Sequence, residues 1–538
     1  MTNQTPTPFP VFTNDDTTGS TYFRIPFLLR TSKDTLIAGT DANFGSAGDS
    51  AENIDAALRL KPNASQHTTE EGWQDAFIPH ALHFKDYTDE LGYRQQSASL
   101  IDGCIVEDTA HSGRIRLIID LWAWNGGLFS YLHIAEDADM PGGYMRRVAG
   151  DDGFCELDGR RFLLLSTKNI MGSDGRAPNN INRNTDRTQF DLAADIQGEP
   201  DDNGRFKIYR LSGRPAETSG ADSGLSLDGA TDYTLTRDFE LYHGDTPLTV
   251  RQRSDDETYT NTRVPMKIFY KDSIFQVYNT SYLLQVSSGD DGQTWQTDGI
   301  ITAGLKKPEH SFFLLGPGRG LQLTSRENHG RTLIPIYYQD RSTDTPDKFL
   351  TAVLLSDDGG QTWSLGGTVP SEHSLSESIP VEGRDGEILL FIRNTATEGG
   401  AIALSRSQDG GETWTPAVSA LGDSKEGVNC QVSALRLSKP AAHPDDPTGP
   451  KYPVICLLSA STRARKHGVI HVGLLKDEIE WVGEVPITEQ KILFGYSSMT
   501  ELADGRVAVL YEMSPDSKWS TGLQHMFYKE VDVLEVLS

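Results

Sequence analysis

The chain is poor in cysteine, with four in 538 residues, and Cys104, Cys155, Cys430 and Cys456 stand far apart with no C-x-x-C spacing. That scarcity excludes a small disulfide framework and does not resemble a zinc site. Buried free thiols are expected instead. Long apolar runs are missing as well: none approaches the ~18 residues that a membrane span requires. The opening stretch from Met1 to Pro10 lacks the basic and apolar regions of a secretory signal. A complete chain is therefore expected in the cytoplasm, and a piece of a longer protein would be secreted or at the cell surface. Positive charge is short too, 49 Lys+Arg against 76 Asp+Glu, for a net charge of −27 at pH 7. The average field repels polyanions, so neither nucleic acid nor a membrane surface is an expected partner.

Long stretches with a 3.6-residue apolar period are hard to find, whereas β-branched and apolar runs bounded by Gly, Asp, Asn and Pro clusters dominate, which predicts an all-β fold. The strongest signal is an internal repeat of the form S-x-D-x-G-x-T-W, found at Ser288–Trp295, Ser356–Trp363 and Ser407–Trp414. The tryptophans recur at intervals of 68 and 51 residues, spacings that suit one four-stranded blade with its loops per repeat and hence a β-propeller. Alternating Asp and Gly also resemble calcium ligands, but the repeat has neither the third oxygen ligand nor the closing Glu of an EF-hand loop. A hairpin turn fits better: Asp bonds the following amides, Gly takes positive φ and Trp plugs the space beneath.

Residues from about 145 to 255 interrupt this rhythm, and Asn169 to Gly229 is rich in Asn, Asp, Gly, Arg and Ser without a repeat. The expected organisation is a first propeller part over 1–145, a small inserted domain over 146–255 and the propeller remainder over 256–538. Without the insertion about 430 residues remain, near six blades of about 70 each.

Three hairpins carry charge to one end. Arg384-Asp385-Gly386 lies midway between Glu377 and Arg393, and Asp504-Gly505 midway between Tyr496 and Glu512. Asp-Gly between apolar runs is a strong hairpin signal, and residues equidistant from a turn become cross-strand neighbours. The turn at Ser32–Asp34 likewise sets Arg24 opposite Asp41 to within a residue. One such residue is ordinarily a surface ion pair worth little. Three on one repeat fold predict a polar pocket with inward-facing charge.

Phe23-Arg24-Ile25-Pro26, the three repeats, and Tyr496-Ser-Ser-Met-Thr-Glu-Leu with Val509-Leu-Tyr-Glu512 together resemble the bacterial sialidases of glycoside hydrolase family 33, from about residue 20 onward. Ser97–Asp102, Val264–Asp272 and Leu333–Tyr337 resemble the subgroup with a domain inserted in the propeller. The resemblance implies a six-bladed β-propeller and a retaining exo-α-sialidase acting on sialylated oligosaccharides or glycoconjugates, without metal or cofactor. It implies an arginine triad of Arg24, Arg393 and Arg465 for the sugar carboxylate, with Arg463 as the rival to Arg465. Arg465-Lys-His-Gly468 is similar to the family's Arg-x-Asn-Gly, with His467 at the Asn position.

The same resemblance implies Asp49 as acid/base, Tyr496 as nucleophile with Glu377 as its base, and Glu512 as the carboxylate that steadies Arg24. Asp102 corresponds to a position on the sugar's polar edge and Tyr337 to a pocket aromatic. Trp122 and Trp124 would wall the pocket or sit in the core. Asn43 replaces an arginine frequent in the family, so recognition of the ring substituents is expected to differ. Two other outcomes stay open: an intramolecular trans-sialidase making an anhydro product, and a non-catalytic glycan-binding propeller. The second needs neither an acid nor a nucleophile, which Asp49, Tyr496 and Glu377 would supply.

Overall fold

Apolar runs without polar alternation, such as Ile388-Leu-Leu-Phe-Ile392, need cover on both faces. In the computed structural model they have it: Leu36–Asn43, Ser281–Ser288 and Gly468–Leu475 are buried along their whole length. The structure describes residues 8–537 except 45–46, 49–52, 85–86, 89–93, 96–97, 111–112, 124–151, 168–189, 214–224, 254–258, 271–272, 279, 308, 396–401, 423–427, 515–517 and 519–521. Among the described residues the ordered elements are β-strands and short 3₁₀ turns such as Ala64–Gln66, so the fold is all-β as expected.

Four antiparallel sheets stand apart as blades. Their strands are His310–Leu315, Thr332–Asp340, Leu350–Ser356 and Ser364–Leu365, with Leu321–Gln322 alongside; then Leu375–Glu382, Ile388–Asn394, Ala403–Ser407 and Val418–Ser419. The third holds Ser433–Arg436, Val454–Ala460, Gly468–Leu475 and Ile479–Pro486, and the last Leu493–Glu501, Val507–Ser514, His525–Val531 and Phe9–Thr13. Apolar layers lie between successive sheets: Leu333, Val353, Leu390 and Ile392 form one, and Ile379, Phe391, Ile455 and Leu457 another. This face-to-face stacking is the propeller arrangement.

The remaining propeller strands do not form two further separate blades. Tyr22–Arg30, Leu36–Asn43, Ile54–Lys61, Ser99–Asp108, Arg114–Trp122, Ser281–Ser288, Gln296–Ile300 and Gly318–Arg319 make a single eight-stranded sheet. Its two portions are joined by one parallel pairing, Ile54 with Ser99. The expected six blades are thus not found as such: four sheets are separate, and the remaining propeller strands form one large sheet. Repeat arithmetic counts chain length and has no means of sensing whether neighbouring strand edges hydrogen-bond.

Phe9–Thr13 pairs with His525–Val531, Phe9 opposite Tyr528, so the two ends of the chain share one sheet. Phe23, Leu28 and Ala38 of the first hairpin then pack on Leu510, Met526 and Tyr528 of the last. Between Arg114–Trp122 and Ser281–Ser288 the chain builds a second eight-stranded sheet from Phe154–Leu157, Arg160–Ser166, Leu192–Ala194, Arg205–Gly213, Leu225–Thr236, Leu241–His243, Thr246–Pro247 and Gln276–Val277. Leu163, Leu165, Ile208 and Leu241 share a core with Leu58, Leu117 and Ile119 of the propeller.

The S-x-D-x-G-x-T-W segments are turns closed by their own side chains. Asp290 Oδ1 accepts the Thr294 N–H at 2.9 Å and Oδ2 accepts its hydroxyl at 2.6 Å, while Ser288 Oγ accepts the Gly292 N–H at 2.9 Å. Asp358 and Asp409 repeat these bonds to Thr362 and Thr413. Burial alone would raise the three carboxyls, but the Thr and Ser hydrogen bonds hold them below the usual carboxylate range. A depressed native pKa gives stability above the unfolded value, lost as pH falls through the native one. Asp290→Ala, Asp358→Ala and Asp409→Ala are each expected to cost about 1 kcal/mol near neutral pH, as for a lost cap. Urea titrations should show that cost shrinking towards acid pH and unmoved by calcium. A calcium-dependent cost would reinstate the metal reading.

Candidate active site

At the same end of four hairpins the register slips, and each slip coincides with a residue singled out by sequence. Ile25 and Pro26 lie between the Arg24–Asp41 and Phe27–Gly39 pairs, and Asp102 and Gly103 between Ile101–Asp120 and Cys104–Ile118. Ser376 and Glu377 face Arg393, and Gly495 and Tyr496 face Glu512, by the same two-against-one count. A bulge of this kind bends the strand and re-aims its side chains. Ile25 and Asp102 pay in backbone strain, with φ of 53° and 64°, values that non-glycine residues rarely adopt.

Glu512, 1% exposed, ties the first and last hairpins together. Its Oε1 accepts the Ile25 N–H at 2.8 Å and Arg24 Nε at 3.3 Å, and its Oε2 accepts the Tyr496 N–H at 3.2 Å. The bond from Ile25 compensates its left-handed backbone, and the one from Arg24 orients that guanidinium. Arg24 Nη1 also donates to the Ala47 carbonyl at 3.4 Å. That contact tethers the segment leading to Asp49, which itself lies outside the described residues, as does Trp124. Trp122 is buried in the core.

Tyr496 is 7% exposed, and its hydroxyl donates to Glu377 Oε1. Arg393 Nη1 donates both to Glu377 Oε2 at 2.6 Å and to the Tyr496 oxygen at 2.9 Å. Burial and the Glu377 charge push the phenol well above its ordinary range, while Arg393 and Arg465 pull it back. The resting tyrosine therefore keeps its proton, aimed at the group able to take it. Arg393, which burial alone would weaken, is held firmly charged by Glu377 and Tyr496.

Arg465 enters from the neighbouring sheet on a turn in which Arg465 and His467 have φ of 53° and 56°. The turn is knitted to the strand before Tyr496 by Phe494 N–H to Arg465 O at 2.9 Å and His467 N–H to Ile492 O at 3.0 Å. The Arg465 guanidinium lies 5.9 Å from the centre of the Tyr496 ring, as does that of Arg24. Arg463 is exposed, so Arg465 is the one brought to the cluster. His467 instead bonds Ser461 Oγ at 3.1 Å.

Asp102 donates its N–H to Asp41 Oδ2 at 3.4 Å. Tyr337, 5% exposed, is packed between Phe312 and Phe349 at 5.8 and 5.6 Å. Burial, Asp102, Glu377 and Tyr496 all keep its hydroxyl protonated.

Sequence reasoning missed Asn429. Its side-chain Oδ1 accepts Arg393 Nε at 2.8 Å, and its carbonyl accepts Arg465 Nε and Nη2 at 3.2 and 3.0 Å. Gln431, also missed, pins the strand behind Tyr496 by accepting the Ser497 N–H at 3.1 Å and donating to the Ser497 carbonyl at 3.1 Å. Both stand in Val428-Asn-Cys-Gln431, ahead of the strand that starts at Ser433. That segment has neither repeat nor turn signal to flag it.

The propeller mouth sets three guanidiniums around one phenol, itself bonded to a buried glutamate, an arrangement chemically able to hold a small carboxylate beside a hydroxyl that has a base at hand. Residues 258–509 match the BNR repeat-like domain family. Along 96% of its length the chain is 28% identical to an anhydrosialidase of Macrobdella decora and 28% identical to sialidase B of Streptococcus pneumoniae. It spans 61% and 65% of those two proteins. The intramolecular trans-sialidase of Ruminococcus gnavus, solved with oseltamivir carboxylate, superposes with a TM-score of 0.73 at 26% identity over 98% of both chains. In sequence and fold the chain is thus similar to these sialidases over nearly its whole length.

Proposed function

We propose that this chain is a retaining exo-α-sialidase that removes terminal sialic acid from sialylated oligosaccharides or glycoconjugates. The observation that carries the reading is the hydrogen-bonded set Tyr496–Glu377–Arg393 with Arg24 and Arg465 on either side of the same ring. Arg24, Arg393 and Arg465 bind the sugar carboxylate, Asp102 meets its polar edge and Tyr337 lines the pocket. Tyr496 attacks the anomeric carbon, its proton passing to Glu377, while Asp49 protonates the departing glycosidic oxygen. Water, deprotonated by Asp49, then attacks the sialosyl–tyrosine bond and releases sialic acid with retained configuration. A tyrosine is an exception to the two-carboxylate scheme of glycosidases. Its physical reason is that the anomeric carbon already bears a carboxylate, which repels an ionised Asp or Glu but not a neutral phenol.

The chain supplies its transition-state electrostatics through the arginines. The scaffold is a six-bladed ring, the large sheet counting as two blades, with residues 146–255 as its inserted domain. A second reading is favoured by the names of the relatives matched over nearly the whole chain: capture of the sialosyl group by the sugar's own hydroxyl, giving an anhydro product. Proton NMR of an α-sialoside digest tests both. Free sialic acid appearing first as the α-anomer is the expected result, an anhydro sugar would move the assignment to the second reading, and no turnover of any sialoside would sink both.

A further inference from the structure

Where the second eight-stranded sheet meets the propeller there is a cavity of about 1040 Å³ that the chemistry above does not use. One wall is the end of Arg114–Trp122 that pairs with Asp108, six residues along Ser99–Asp108 from the bulged Asp102. At about 3.3 Å per residue that is ~20 Å from the mouth, so a ligand here leaves the mouth open. Further along this face Ile118 and Leu283 seal the sheet against Phe313 and Ile336 of the next. Towards Arg114 the apolar layer stops, and Arg116, Gln285 and Ser287 take its place. Trp295 and Trp363, the tryptophans of the first two repeats, line the same space and are half-buried. Trp414 of the third is 7% exposed, packed in an apolar layer.

The polar lining is held in place by its own hydrogen bonds. Asp298 accepts Ser287 Oγ on Oδ1 at 2.8 Å and Gln285 Nε2 on Oδ2 at 2.9 Å, and Gln285 Oε1 accepts the Trp363 indole N–H at 2.9 Å. The opposite wall is tied to the same strand: Arg237 Nη1 donates to the Asp298 carbonyl at 2.8 Å, and the Thr297 hydroxyl donates to Asp238. Arg114 Nη1 reaches Ser287 Oγ at 3.4 Å. Arg116, 6% exposed, has Asp108 Oδ2 at 3.4 Å from Nη1, and its Nε has no hydrogen-bond partner among the described residues. Three guanidiniums thus line one cavity in a chain of net charge −27.

We propose that this cavity is a second, non-catalytic binding site for an acidic oligosaccharide, its carboxylate met by the arginines and its sugar faces resting on Trp295 and Trp363. It goes beyond the catalytic reading and takes from it only the choice of a sialoside as probe. Arginine's planar fork matches a carboxylate, and Gln and Ser side chains both donate and accept, as sugar hydroxyls require. Aromatic rings supply the apolar surface that fixes a ligand between such polar groups. Asp238 and Asp298 in the walls oppose a phosphate dianion or a polyanion more strongly than a single carboxylate. The volume is at the upper end of small-ligand pockets, about 300–1,000 Å³, and so admits more than one sugar ring. A glycoconjugate bearing many such chains would be held here while another chain enters the mouth, raising its effective concentration.

The test uses calorimetric titration of Tyr496→Phe with 3′-sialyllactose. Two binding events are expected. The second should weaken at least ~10-fold when Arg114→Ala and Arg237→Ala are added. It should also weaken when Gln197→Trp is added instead, an enlargement of an exposed side chain at the cavity's edge. Raising salt from about 0.05 to about 0.5 M should weaken it several-fold, and lactose, which lacks the carboxylate, should not bind there. On the wild-type background the same substitutions should leave kcat/KM on an aryl α-sialoside within two-fold, which also shows that the variants fold. Binding that neither set of substitutions alters, or lactose bound as tightly as 3′-sialyllactose, would overturn the proposal. A single event in Tyr496→Phe that the cavity substitutions abolish would leave the second site standing and sink the catalytic reading of the mouth.

Discussion

Tyr496→Phe is expected to lower kcat on an aryl α-sialoside by at least about 10³-fold, as removal of a nucleophile does, while leaving sialoside affinity within a few-fold. The split follows from the geometry. The phenol is the atom proposed to attack, whereas the groups proposed to hold the carboxylate remain. Arg393 keeps its 2.6 Å bond to Glu377 and its 2.8 Å bond to Asn429, and Arg24 keeps Glu512. The variant should fold, since the loss is one hydroxyl and the unmet demand on Glu377 Oε1 costs about 1–3 kcal/mol. Glu377→Gln should fall in kcat as well, because the proton of a phenol held above its ordinary pKa then has no base to go to. Steady-state kinetics with isothermal titration of a sialoside separates the two effects. A Tyr496→Phe enzyme retaining a tenth of wild-type kcat would end the covalent mechanism.

Arg393→Ala should be damaging in two ways at once. Among the described residues Glu377, 4% exposed, would keep only the tyrosine hydroxyl as a partner, and leaving one member of a buried ion pair unpaired costs about 3–5 kcal/mol. The mouth would also lose the guanidinium that touches both Glu377 and Tyr496, and kcat/KM should fall ~10³-fold, largely through KM. Arg393→Lys keeps the charge but loses the fork that serves Glu377, Tyr496 and Asn429 together, so it should recover stability more than activity. Adding Glu377→Gln to Arg393→Ala should restore much of the lost stability and none of the turnover. Urea unfolding with kinetics on the same preparations checks this. A double variant no more stable than the single one would mean that Glu377 and Arg393 are not energetically coupled.

How far the site could be read beforehand depended on how local its geometry is. The pairing of Glu377 with Arg393 and of Tyr496 with Glu512 was legible because each is centred on its own turn; Asp385 and Gly386 take φ of 53° and 81°, and Gly505 takes 94°. Arg24 opposite Asp41 was legible in the same way, and the register agrees. The bulges were not legible. A β-branched residue such as Ile25 enters the left-handed region only because Glu512, 487 residues away, accepts its N–H. Asn429 was hidden for a related reason: it serves two arginines that belong to two different sheets.

The amino-acid order by itself determined the all-β character, the three self-closing turns and the hairpins that carry Arg24, Glu377 with Arg393, and Tyr496 with Glu512. These depend on contacts within about a dozen residues of a turn, where loop closure costs little. Only the tertiary structure decided which hairpin ends meet. Pairing of Phe9–Thr13 with His525–Val531 places the first hairpin on the last, so that Glu512 can hold Arg24 and Tyr496 together. It also merged two sets of strands into one sheet. No local pattern encodes those contacts, because their energy comes from face-to-face packing of sheets that are far apart in the chain.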